Sequence, residues 1–163
     1  MEALMDRVEK LLRLDVAEAA GKTADPSRAL DSIERDIDNQ LVQVKTEMAV
    51  AVATRHKLDR EAARLDEQAA MSLKQADLAL AGGRDAEARA AAAQVIAIRR
   101  QAAELRERAE ARARLAEQLR SLWTGLRTQL ESVKAAREAR AAESGNEAAA
   151  SEVDILLGGL RRT

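Results

Sequence analysis

Along the chain the apolar residues, with alanine filling intermediate places, return at steps that are nearly all three, four or seven, the spacing of one helix face and of a coiled-coil seam. From Ser27 to Ala81 the seam reads Leu30, Ile33, Ile37, Leu41, Val44, Met48, Leu58, Leu65, Leu73 and Leu80, with Ala51, Ala62, Ala69 and Ala76 between them. A second seam runs through Ala88, Ala92, Val95, Ile98, Ala102, Leu105, Ala109, Ala116, Leu119, Trp123, Leu126, Leu130 and Val133 to about Ala142. Gly82 and Gly83 stand between the two. Glycine accepts positive φ and closes helices, and Arg84-Asp85 can open the next one. Two helices of similar length joined by so short a loop fold back antiparallel, each on the order of 80 Å long. The expected fold class is therefore all-α, a long antiparallel hairpin over residues 27–143 with its tip at 82–84.

The ends of the chain follow a different pattern. On a wheel of about 100° per residue, Leu4, Met5, Val8, Leu11 and Leu12 fall within about 120°, with Asp6, Glu9, Lys10 and Arg13 opposite. This predicts an amphipathic leader helix over 1–20. A linker over 21–26 follows, in which Gly21 closes the leader and Asp25-Pro26 supplies an N-cap and a first helical residue for the long helix. After Ser144-Gly145-Asn146 a short tail, 144–163, places Val153, Leu156, Leu157 and Leu160 on one apolar face before Gly158-Gly159. Such a tail is expected to dock, on its own hairpin near Trp123 or, as the favoured arrangement, across a neighbouring copy's arm, with 144–150 as the flexible link.

Composition sharpens this picture. One tryptophan and no Phe or Tyr argue against a compact globular core, while 34% charged residues and abundant alanine suit long helices. Alanine seams bury little area, so packing against further copies is expected to supply what the hairpin lacks. The net charge of −1 exerts no global pull on nucleic acid or anionic lipid. Residues 84–143 do carry 13 basic and 9 acidic side chains against 8 and 10 in 27–81. With acids interleaved and no aromatic to stack on bases, a solvated face is favoured over a phosphate-binding stripe, and no nucleic-acid partner is expected. Pairs with the acid four residues ahead of the base, such as Asp31-Arg35 and Glu110-Arg114, support the helices by tenths of a kcal/mol each.

Catalytic chemistry finds no foothold. His56 is the only histidine and there is no cysteine to complete a metal site with it. Glu34 and Asp38, one turn apart, read as ordinary helix surface, and GGR lacks the Lys-Ser/Thr of a phosphate loop. No enzyme, metal or cofactor is expected. No segment has eighteen consecutive apolar residues, and the acidic N-terminus does not have the layout of a signal peptide. On physical grounds the leader suits either a bilayer interface or another hairpin. Asp15 on its apolar side and 4 basic against 6 acidic residues up to Pro26 count against the bilayer.

The stretch ADPSRALDSIERDIDNQLVQVKTEMAVAVATRHKLDREAARLDEQAAMSLKQADLALAGGRDAEARAAAAQ, preceded by an amphipathic leader, resembles the phage shock protein A family. That family includes the vesicle-inducing protein of plastids and forms a bacterial branch of the ESCRT-III superfamily. The resemblance rests on a short helix ending before Asp-Pro, an isoleucine-rich start to the long helix, an Ala-Leu pair before the tip, and GRD with Ala-Arg after it. It covers roughly residues 4 to 142. It implies a cytoplasmic protein, peripheral on the inner face of the cell membrane, whose hairpins assemble with one another and remodel or protect stressed membranes. Leu4, Met5, Val8, Leu11 and Leu12 would enter lipid, and Gly82, Gly83 and Arg84 would touch a neighbouring copy. The alternatives are a regulatory module that inhibits a transcriptional activator ATPase through its hairpin, or a coiled-coil adaptor whose leader packs on its own hairpin. Family leaders often carry Phe and a basic bias, both missing here, and further helices that follow the hairpin in the family give way to the short tail.

Overall fold

The computed structural model describes residues 1–161, and among those residues there are four helices and no strand. These are α1 (Glu2–Arg13), α2 (Val16–Gly21), α3 (Pro26–Ala81) and α4 (Asp85–Leu160). The long helices α3 and α4 pack against each other as the two arms of a hairpin. Two compact units divide the chain, Met1–Val44 with Ser121–Thr163, and Lys45–Arg120.

The start of α3 follows from Asp25-Pro26. The Asp25 carboxylate accepts the Arg28 amide N–H at 3.1 Å, and Pro26, which has no N–H to leave unsatisfied, is the first helical residue. The end of α3 is a Schellman turn. The Arg84 N–H donates to the Ala79 carbonyl at 2.8 Å and the Gly83 N–H to that of Leu80 at 3.0 Å, while Gly83 sits at φ +72°. Gly83 alone takes a positive φ among the described residues, and a new helix opens at Asp85, with acids Asp85 and Glu87 in its first turn favouring the N-terminal dipole.

In the unit formed by residues 45–120 the buried apolar residues are alanines except for Leu58, Val95 and Leu119. Here the expected seam is corrected near the tip. Leu73 and Leu80 are 42% and 60% exposed, and Ala69, Ala76 and Ala79 take the inward positions; Ala92 is likewise exposed while Ala88 and Val95 are buried. Small side chains at these inward positions permit a close approach of the arms, and the leucines beside them stay on the exposed side. Arg106 pairs with Asp66 across the two arms.

The other unit has larger packing residues: Leu4, Val8, Val16, Leu30, Ile37, Val44, Leu126 and Val133 are buried, most of them completely. Gln40 is buried among them, a polar interruption of the apolar packing. Arg137 bridges the arms, donating to Asp31 at 2.8 Å and Glu34 at 2.6 Å. The hydrogen bond to Glu34, followed by the charges of both acids, raises the guanidinium pKa further above its ordinary value. A cation's raised pKa stabilises the fold below the unfolded value and is lost only as pH rises through the folded one. Arg137 itself therefore contributes no pH dependence in the neutral range.

Two expected boundaries are also corrected. The helix expected over 1–20 is two helices. Leu14 is extended (φ −70°, ψ 125°), and Asp15 caps α2 by accepting the Glu18 N–H at 2.9 Å. At the other end the break expected at Ser144-Gly145-Asn146 does not occur, and α4 continues to Leu160. Interior glycines cost a helix about 1 kcal/mol each but do not stop it unless one adopts the left-handed conformation, and Gly145, Gly158 and Gly159 do not. The tail expected over 144–163 is thus helical to Leu160, and its last two positions lie outside the described residues.

Candidate functional site: the amphipathic leader and its seat

The leader's apolar stripe is real. Leu4 and Val8 are buried, Met5, Leu11 and Leu12 half-buried, and Asp6, Glu9, Lys10 and Arg13 exposed. Helix α1 rises from Met1, whose carbonyl accepts the Leu4 and Met5 N–H groups, and ends where Leu14 turns out of the helix. Asp15, which on one continuous helix would project into the apolar stripe, is instead exposed and occupied as the α2 cap. The five residues expected to meet lipid therefore share one face, and in this structure that face is turned toward the chain's own helices.

Contacts with Gln129, Gly125 and Gln43 hold it there. The Gln129 side-chain amide, half-buried on α4, donates to the Leu11 carbonyl at 2.9 Å and to the Leu14 carbonyl at 2.6 Å. Both carbonyls lie at the C-terminal end of α1, where intrahelical bonding runs out; that of Leu11 also accepts the Leu14 N–H at 3.3 Å. One turn earlier on α4, Gly125 leaves a notch filled by the Leu12 side chain. A Cβ at Gly125 would stand 2.9 Å from Leu12 Cδ2, closer than carbon atoms pack, and 3.4 Å from Cδ1, in contact. On the polar side of α1, Arg7 donates to Gln43 Oε1 on α3 at 3.2 Å. A scan for apolar seams passes over Gly125 and Gln129; the available signal was a lone glycine inside an otherwise strong helical pattern.

The remaining expected residues fall elsewhere. Gly82, Gly83 and Arg84 make the tip, where Arg84 also pairs with Glu87 at 3.0 Å. Val153, Leu156, Leu157 and Leu160 lie on α4 and are 53%, 67%, 50% and 70% exposed, so no contact with the Trp123 region covers them. Trp123 is half-buried with the Arg127 guanidinium 5.1 Å from its ring centre, a cation–π contact. His56 and Asp38 are exposed and Glu34 is engaged by Arg137. Among the described residues no three His, Cys, Asp or Glu stand close enough to hold a metal, and no helix is long and apolar enough to cross a membrane.

A helical hairpin preceded by a separate amphipathic helix, with large packing residues beside the leader and alanine packing around the tip, defines a class of coiled-coil scaffold. The PspA/IM30 family model matches residues 3–163, and the chain belongs to that family. The family is one of non-enzymatic scaffold and regulatory proteins associated with membrane stress. A protein of Deinococcus radiodurans named phage shock protein A homolog is 35% identical over 60 residues, 37% of this chain and 27% of that protein. The match thus spans about a quarter of the relative's length. No solved structure matches the chain.

Proposed function

We propose that the protein is a peripheral scaffold that assembles with copies of itself on stressed membranes, on the cytoplasmic face of the cell membrane, and remodels or protects them. The observation that carries this reading is α1, a 12-residue helix with its apolar residues on one face, placed ahead of the hairpin and joined to it through α2 and residues 22–25. Part-burial of five mid-sized apolar side chains in a lipid interface contributes on the order of 5 kcal/mol, less the cost of undocking and ordering the helix. One leader binds weakly. An assembly presenting many binds firmly, because each later insertion occurs at high effective concentration. The tip, Gly82 to Arg84, and the exposed stripe of Val153, Leu156, Leu157 and Leu160 are the surfaces offered to neighbouring copies.

A second reading is favoured by the burial of Leu4 and Val8: a coiled-coil adaptor in which the leader is a permanent part of the fold. Co-sedimentation with vesicles separates the two. Leu11→Asp with Leu12→Asp is expected to abolish vesicle binding of a protein that stays helical by circular dichroism. Undiminished sedimentation of that variant would remove the leader from the membrane role.

A further inference from the structure

We infer that Gly125 and Gln129 of α4 form a latch that holds the leader closed, and that lipid and latch compete for the same face of α1. The inference rests on the membrane reading above for its competitor and on the structure for its site. Leu12 is wanted in both places: it fills the Gly125 notch here and belongs to the stripe that would enter lipid. Leu4 and Val8 are buried in the docked state and cannot be buried in a bilayer at the same time. The latch is placed where the leader ends. Gln129 donates to the Leu11 and Leu14 carbonyls at the point where α1 stops and the chain turns into α2. In a lipid interface, water and headgroups can take over those two carbonyls, so the polar part of the latch opens without orphaning a buried group.

Linkage fixes the consequence. If only a small fraction of molecules have the leader free, the apparent dissociation constant for lipid is the intrinsic one divided by that fraction. Weakening the latch about tenfold tightens vesicle binding about tenfold as long as the free fraction stays small. A substitution outside the lipid-binding face thereby increases lipid binding, an outcome that a purely structural role for Gly125 and Gln129 does not produce.

The test uses the full chain and two independent variants. Gln129→Leu removes the donor and keeps the side-chain bulk, and Gly125→Leu fills the notch. Without lipid, trypsin cleavage after Arg7, Lys10 and Arg13 reports whether the leader is free. With vesicles of phosphatidylglycerol and phosphatidylethanolamine, a binding titration reports affinity. Faster leader cleavage together with about tenfold tighter vesicle binding in either helical variant supports the latch. Unchanged cleavage in both variants overturns the latch, and faster cleavage with unchanged or weaker vesicle binding overturns the competition. If vesicle binding of the parent persists in Leu11→Asp, Leu12→Asp, the membrane reading fails with the competition, while cleavage without lipid still decides whether Gly125 and Gln129 hold the leader.

Discussion

The two glycines at the tip are adjacent, yet the structure predicts opposite tolerance to substitution. Gly83 sits at φ +72°, and an added Cβ would meet nothing within 4 Å, so the cost of a side chain there is purely conformational. For an L-residue that cost is about 1–2 kcal/mol. Gly82 lies outside the left-handed region, and its Cβ would stand 3.3 Å from Arg84 Nε and 3.5 Å from the Leu78 carbonyl. The first neighbour is the far end of a mobile side chain and moves aside. Gly82→Ala is therefore expected to be near neutral, within about 0.5 kcal/mol. Gly83→Ala should lower stability by about 1–2 kcal/mol, roughly 2–8 °C in melting temperature for a chain of this size. Gly83→Asn should fall between parent and alanine, because asparagine tolerates the left-handed conformation, and Gly83→Val should be worse than alanine. Thermal unfolding followed at 222 nm by circular dichroism reads the series directly. Equal losses at the two positions, or a neutral Gly83→Ala, would refute the assignment of the reversal to Gly83.

The corrected seam makes a paired prediction: Leu126→Ala, at a completely buried position, should cost about 2–5 kcal/mol, whereas Leu80→Ala, 60% exposed, should cost well under 1 kcal/mol in the same melts. Truncation after Glu143 removes only exposed helix from the described residues, so the melting temperature should stay within about 2 °C of the parent. Light scattering of the same truncated protein should show smaller assemblies if the exposed apolar stripe bridges copies; assemblies of full size would assign assembly to the hairpin alone.

Much of the hairpin was legible in residue spacing because its determinants are local. Asp25-Pro26 opens α3 and Gly83 closes it by rules that act within one turn. What escaped depends on how closely elements approach. A seam scan favours Leu73 and Leu80 over their alanine neighbours, but between closely packed arms the alanines win the inward positions. The break between α1 and α2 had a local signal: Asp15 and Glu18 stand three apart, the capping spacing, and an aspartate on an apolar stripe is better satisfied as a cap than as a buried charge. Ser144-Gly145-Asn146 misled in the opposite sense, since a glycine ends a helix by its φ rather than by its presence. The apolar face of α1 was readable; the notch and amide that receive it lie more than a hundred residues away in sequence, and no local pattern joins them.

The distribution of large and small packing residues bears on how such a leader could work. In the unit of residues 45–120 the alanines lose little transfer free energy on exposure, so this part gains most of its holding power from close, extended contact. The unit containing the leader depends instead on a few large side chains, and Leu4 and Val8 are among them. Each such side chain contributes about 1.5–3 kcal/mol when fully buried, so departure of α1 both frees an apolar helix and leaves an apolar seat uncovered. The seat then has three ways to be covered again: the same leader, a leader from another copy, or another copy's exposed stripe of Val153, Leu156, Leu157 and Leu160. Two of the three join molecules. On the membrane reading proposed above, insertion of the leader raises the drive toward assembly at the moment when neighbouring copies are concentrated on one surface, coupling lipid binding to polymerisation through one change of partner.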